Sequence, residues 1–82
     1  MTIRAKYIIV IAHGMEMPIV FSELMKHTEM AGNQKVVGAG FCYVDHKTGL
    51  YTCYGESTSL NIKSRNAVDE DILNELLGQS HD

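Results

Sequence analysis

Between Gly55 and Arg65 the chain reads Gly-Glu-Ser-Thr-Ser-Leu-Asn-Ile-Lys-Ser-Arg, so four hydroxyls stand within a few residues of Lys63 and Arg65. Donors at this density suit an anion, since hydrogen bonds to a charged group are the strong ones and a guanidinium can give phosphate two parallel N–H bonds. Tyr51 and Tyr54, just upstream, add rings on which a base could stack. Ser57, Thr58, Ser59, Lys63, Arg65, Tyr54 and Tyr51 are therefore the candidate ligand-binding residues. The commoner origin of such a run is a solvated strand face with turn-forming hydroxyls. It also lacks the glycine spacing of a nucleotide-hydrolysing phosphate loop.

Other chemistries find less support. His13, His27, His46 and His81 are dispersed, without the close ligand spacing of a structural zinc site, so neither a metal nor another cofactor is expected. His27 with Glu23 or Glu29 could do acid–base work, and Cys53 with a histidine could form a nucleophile pair. Pairings of this kind arise by chance in almost any sequence. No catalytic residue is assigned, the expectation is a non-enzyme, and the histidines are expected at the surface.

The elements that would position these residues follow from pattern. Tyr7 to Ile11 is short, apolar on consecutive positions and mostly β-branched, as a central strand buried on both faces is. A turn over His13 to Glu16 leads to a returning strand over Met17 to Phe21, which Pro18 places at a sheet edge or near its own start. Ser22 caps a helical turn or short helix through His27, and Gly32-Asn33 ends it. Met15, Met17, Met25 and Met30 surround this region as core filling or, less often, as a partner surface.

From Lys35 to Val44 the residues alternate, with Val37, Ala39, Phe41 and Tyr43 on one face. Asp45 to Gly49 forms a hairpin loop that sets Val44 against Leu50 and Tyr43 against Tyr51. In that register Cys42 and Cys53 fall on opposite faces, so both are expected buried and reduced. Tyr54 lies across from Gly40 and covers it. Alternatively, Gly38 and Gly40 admit another backbone or a ligand. Gly55 marks a bend before the half-buried strand of Leu60 and Ile62. Asp69 then caps an amphipathic helix bearing Ile72, Leu73, Leu76 and Leu77, with Gly78 as its stop and a mobile tail over residues 79–82.

These elements predict an α+β fold: a single small domain over residues 1–82, ordered from about 6 to 77. Its antiparallel sheet has four to five strands and carries a short helix and the C-terminal amphipathic helix. Residues 66–82 hold five acidic side chains and no lysine or arginine, so the remainder carries a surplus of two basic groups within a net charge of −3. That balance is far from the dense basic patch duplex nucleic acid requires. The apolar run from Tyr7 to Ala12 is too short to span a bilayer and has no signal-peptide cleavage pattern after it, and reduced cysteines suit the cytoplasm. A modest core makes a homo-oligomer an expected route to added stability.

Three segments, Glu16 to Phe21, Val36 to Cys42, and Cys53 to Ser57 continuing to Ser64-Arg65, resemble small accessory proteins encoded by bacteriophages and prophages. The resemblance covers about Lys6 to Leu77. It implies a class whose members act on host defence by binding, either blocking a defence protein or sequestering its nucleotide signal, and it assigns no residue roles. The expected function is a homo-oligomeric, non-enzymatic counter-defence factor that sequesters a phosphorylated small molecule such as a cyclic nucleotide, in the host cytoplasm. The alternative is a host protein bound through the Met-rich region or the strand edge at Pro18. A small hydrolase using His27 or Cys53 has least support.

Overall fold

A computed structural model describes residues 2–78; the tail and His81 considered above lie outside the described residues. Strand β1 (Thr2–Ala12) runs through the middle of the sheet, and its Tyr7, Ile8, Ile9 and Val10 are all buried. Consecutive burial in a strand needs cover on both faces, because side chains alternate. Tyr7 and Ile9 pack with Cys42, Cys53 and Leu73 on one face, while Ile8 and Val10 pack with Phe21, Ala31 and Ala39 on the other. Burying each large apolar side chain contributes about 1.5–3 kcal/mol.

The remaining elements are β2 (Met15–Phe21), α1 (His27–Ala31), β3 (Val36–Asp45), β4 (Tyr51–Tyr54), β5 (Glu56–Ser57), β6 (Ile62–Lys63) and α2 (Ala67–Leu77). Four strands form an antiparallel sheet in the order β2-β1-β3-β4, and β5 pairs with β6 in a second, two-stranded sheet. The α+β reading holds. Leu73 of α2 belongs to the first core cluster, whereas Met30 of α1, Leu60 just before β6 and Ile62 within it close the second. No helix among the described residues is long and apolar enough to cross a membrane.

Both sheet edges are managed. Pro18 lies in edge strand β2 opposite Ile9. The amide of Ile11 donates to Lys35 O, so alternation turns the backbone polar groups of Ile9 toward β3 and those of its partner Pro18 toward the open edge, where a missing N–H breaks no ladder bond. At the other edge α2 closes β4 with side chains. The Tyr51 N–H donates to Asn74 Oδ1 at 2.6 Å, Asn74 Nδ2 donates back to Tyr51 O at 3.2 Å, and the Cys53 N–H donates to Glu70 Oε2 at 3.1 Å.

The β3–β4 register differs by one residue from the expected one. Val44 faces Tyr51, Tyr43 faces Thr52, Cys42 faces Cys53 and Phe41 faces Tyr54. The reason lies in the loop. Asp45 N–H bonds Leu50 O, and the Asp45 carboxylate takes the Lys47 N–H, so four residues rather than five span the turn, with Gly49 at φ +73°. A one-residue shift flips every side chain. The two cysteines therefore share one face, buried and free. Tyr54 falls beside Phe41 and does not cover Gly40. A Cβ at Gly40 would lie 2.5 Å from Tyr54 O, and one at Gly38 would lie 2.4 Å from Asp69 Oδ2, so these glycines admit a backbone carbonyl and a carboxylate.

Of the two readings at Ser22 the turn is the one found, and the start of the last helix differs. Ser22 opens a turn, its hydroxyl taking the Leu24 N–H, and α1 begins only at His27, with Glu29 accepting the Lys26 N–H. Helix α2 starts at Ala67, which leaves Asp69 inside the first turn and fully buried. Of its apolar residues Leu73 is buried, whereas Leu76 and Leu77 are exposed. Met15, Met17 and Met25 are exposed as well, contrary to the core-filling expectation.

Candidate functional site

Alternation along β1 points Arg4 and Lys6 to the same face as Ile8, and pairing sets Lys6 against Phe41 and Arg4 against Tyr43. Beyond Ile8 this face is covered; at Lys6 it opens into a cleft of about 330 Å³. Lys6, Lys26, His27 and Phe41 line one side, and Glu56, Ser57, Thr58 and Ser59 line the other. Lys6 Nζ is steadied by a 2.9 Å bond to Met25 O.

The hydroxyls are presented by the turn between β5 and β6. Ser57 is buried, and its oxygen accepts the Leu60 N–H at 3.2 Å and meets the Ser59 hydroxyl at 3.3 Å. Asn61 N–H closes on Thr58 O, with Asn61 at φ +56°, which leaves Thr58 and Ser59 exposed at the cleft. Two lysines face one carboxylate here, since Glu56 is the only acid among the described residues of the wall and pairs across the ladder with Lys63.

His27 is buried, contrary to the expected surface position. Its Nε2 lies 2.9 Å from Gly40 O; a carbonyl only accepts, so Nε2 carries the proton. The ring meets Phe21 and Phe41 edge-on at 5.5 and 5.9 Å. Phe41 in turn stacks on Tyr54 at 5.9 Å, and Tyr54 lies 5.8 Å from Tyr43. A row of rings thus leads out of the cleft along β3 and β4, with the Arg4 guanidinium 5.6 Å from the Phe41 ring centre.

The sequence-predicted residues are divided. Ser57, Thr58 and Ser59 converge on the cleft, with Tyr54 one ring beyond Phe41. Lys63 is exposed on β6 and does not line the cleft. Tyr51 belongs to the α2 side of the sheet, where burial pushes its phenol pKa up.

Arg65 is held by acids. Its backbone N–H and Nε donate to the two Asp69 oxygens at 2.9 and 2.7 Å, and its terminal nitrogen pairs with Glu16. The Tyr7 hydroxyl donates to Asp69 at 2.6 Å, with the Ser64 hydroxyl 2.7 Å from the same phenol oxygen. Burial first, and then the Asp69 carboxylate, drive the Tyr7 pKa up. Hydrogen bonding to Arg65 holds Glu16 below the usual carboxylate range, and Glu16 raises Arg65.

The sequence reading missed Lys6 and Lys26 as site cations and gave Phe41 and Tyr43 only a strand face. Alternation already put Phe41 and Tyr43 together, but the strand pairing that lays Lys6 beside them leaves no local mark. Among the described residues no three histidine, cysteine or acidic side chains gather where a metal ion could be held. Compared with known proteins, the chain matches no family model, no curated protein and no solved structure.

Proposed function

We propose that the protein is a non-enzymatic binding protein that holds a phosphorylated small molecule, such as a cyclic nucleotide, in the cleft between the sheet and the β5–β6 turn. The observation that carries this is the convergence of Lys6 and Lys26 with Ser57, Thr58 and Ser59 around one opening. Charge-assisted bonds from the ammonium groups and donation from the exposed hydroxyls of Thr58 and Ser59 suit phosphate oxygens. In the setting that the phage resemblance implies, holding such a molecule intact removes a host signal from solution.

Ser57, His27 and Cys53, the residues a hydrolase reading would use, each have other engagements. Ser57 oxygen accepts a backbone amide and His27 Nε2 donates to a backbone carbonyl. Cys53 is buried on the α2 side, with its thiol pKa pushed up to about 12, mainly by burial. Two free buried thiols fit a reducing cytoplasm.

Native mass spectrometry of protein purified from cells, followed by calorimetric titration with a panel of mono- and cyclic nucleotides, tests the reading and reports the oligomeric state, expected to be a homo-oligomer. Lys6→Ala with Lys26→Ala should weaken binding at least tenfold, about 1.4 kcal/mol, and the released ligand should be chemically intact. Binding that ignores both lysines, or no binding across the panel, refutes it.

A second reading is favoured by the exposed edge of β2, where Met15 and Met17 are exposed beside Pro18. There a host protein is the partner. A complex that survives the two lysine substitutions but is lost on Met15→Asp supports this alternative.

A further inference from the structure

The cleft accounts for an anion, but it leaves the exposed aromatic row on the same face without a task. Tyr43 and Tyr54 sit diagonally on neighbouring strands, since Tyr43 pairs with Thr52 and Phe41 with Tyr54. Diagonal neighbours on one face lie within reach of long aromatic side chains. Phe41 bridges this pair to the phosphate cleft, because it lines the cleft and stacks on Tyr54. Its own surroundings are already taken by His27, Tyr54 and the Arg4 guanidinium. Tyr43 is 38% exposed and Tyr54 half-buried, so the ring surface left to a ligand belongs to the tyrosines.

We propose that the ligand is a nucleotide whose base stacks on Tyr54 outside the cleft, with the Tyr43 ring, tilted 53° to Tyr54, packing against the base from the side, and that the base is selected by its flat face with little discrimination between adenine and guanine. This rests on the phosphate reading above and deepens it. The cleft, at about 330 Å³, is at the small end for a ligand pocket and suits a phosphate and its sugar, leaving the base to the adjoining shelf. Selection by base edge needs donors and acceptors fixed at the ring's rim, whereas stacking tolerates any base because each has a π-face. The polar neighbours across the ladder are Thr52 and Arg4, and Arg4 is drawn 3.3 Å from Glu23 while its guanidinium lies over Phe41. Tyr51 takes no part, being on the other face.

The chain contains no tryptophan, so its intrinsic fluorescence comes from four tyrosines, and a base laid on Tyr54 and against Tyr43 should quench it. The test titrates the full chain with AMP, GMP, ribose 5-phosphate and inorganic phosphate. AMP and GMP should bind within about threefold of each other, and roughly 5- to 150-fold more tightly than ribose 5-phosphate, the range expected for one stacked base. Tyr54→Ala and Tyr43→Ala should each lower nucleotide affinity toward that of ribose 5-phosphate while leaving ribose 5-phosphate unchanged, which also checks that the fold survives. Tyr54→Phe should retain the nucleotide. Equal binding of AMP and ribose 5-phosphate, or AMP binding insensitive to both tyrosines, overturns the base shelf while leaving the phosphate cleft intact. A tenfold preference between AMP and GMP overturns the base tolerance. Failure of all four probes to bind overturns the base shelf, and failure of the cyclic nucleotides as well overturns the phosphate cleft.

Discussion

Asp69 shows how one side chain can redirect a residue that looks made for a ligand. It is fully buried yet accepts from Tyr7, from the Arg65 backbone and from the Arg65 side chain, so its charge is paired and its lone pairs are used. A buried carboxylate with such partners becomes a liability when a partner is removed, and the reverse also holds: removing the acid leaves the Arg65 Nε and backbone N–H without their acceptor and the Tyr7 hydroxyl with Ser64 alone. Asp69→Ala should cost about 3–5 kcal/mol of unfolding free energy in urea. Gly38→Ala should cost about 1–3 kcal/mol, because its methyl meets the Asp69 carboxylate. A change below 1 kcal/mol in both, a threshold of about the size of an ordinary surface pair, would mean that the network is incidental. Arg65 read as a phosphate ligand because its i,i+4 neighbour Asp69 looked like a helix cap, and because Glu16, which pairs with Arg65, and Tyr7, which bonds Asp69, come from the far end of the chain.

Among the elements, strand identity was legible and strand register was not. The apolar block at Tyr7 to Val10 identified the central strand, and Pro18 identified an edge, because both rest on local physics: what a two-sided strand must bury and what a proline cannot donate. The β3–β4 register depends on whether Asp45 closes the loop on Leu50, a choice made by a few turn bonds that composition does not disclose. That choice sets Cys42 against Cys53 in the core. Burial pushes their thiols up to about 11 and about 12, so neither is a thiolate at neutral pH. Iodoacetamide at pH 7.5 should leave both unmodified in the native protein and label both in 6 M guanidinium, conditions that are about those of a standard unfolding assay; rapid native labelling of either would contradict the packing.

Over the whole molecule, charge is sorted between the two sides of the sheet. Asp69 and Glu70 of α2 are tied to Tyr7, Arg65 and the β4 edge, while Arg4, Lys6 and Lys26 stand on the opposite side around the cleft. Acids accompany them, with Glu23 on Arg4, Glu56 on the cleft wall and Glu29 beside Lys26, so that side presents paired charges to a ligand and not a broad basic field. Alkali should act on the other side. Cys42, Cys53 and Tyr7 all have folded pKa values raised above their unfolded ones, so their contribution is complete below about pH 9 and is lost as pH climbs toward 11 and 12. Each thiol should remove about 1.4 kcal/mol per pH unit in that window. Urea titrations from pH 7 to 11 should show the decline, and the Cys42→Ala, Cys53→Ala double variant should flatten it; an unchanged slope would place the titration elsewhere.

The closure of β4 by Asn74 and Glu70 ties two amides of an edge strand to a helix some twenty residues further along the chain. An edge N–H normally faces water and exchanges its hydrogen freely. Those of Tyr51 and Cys53 are sealed, and they open when α2 lifts from the sheet. Their deuterium uptake therefore measures the free energy of docking that helix, separately from global unfolding. Each opening also bares the edge to a neighbouring chain, so the same two amides gauge how often the molecule is exposed to self-association.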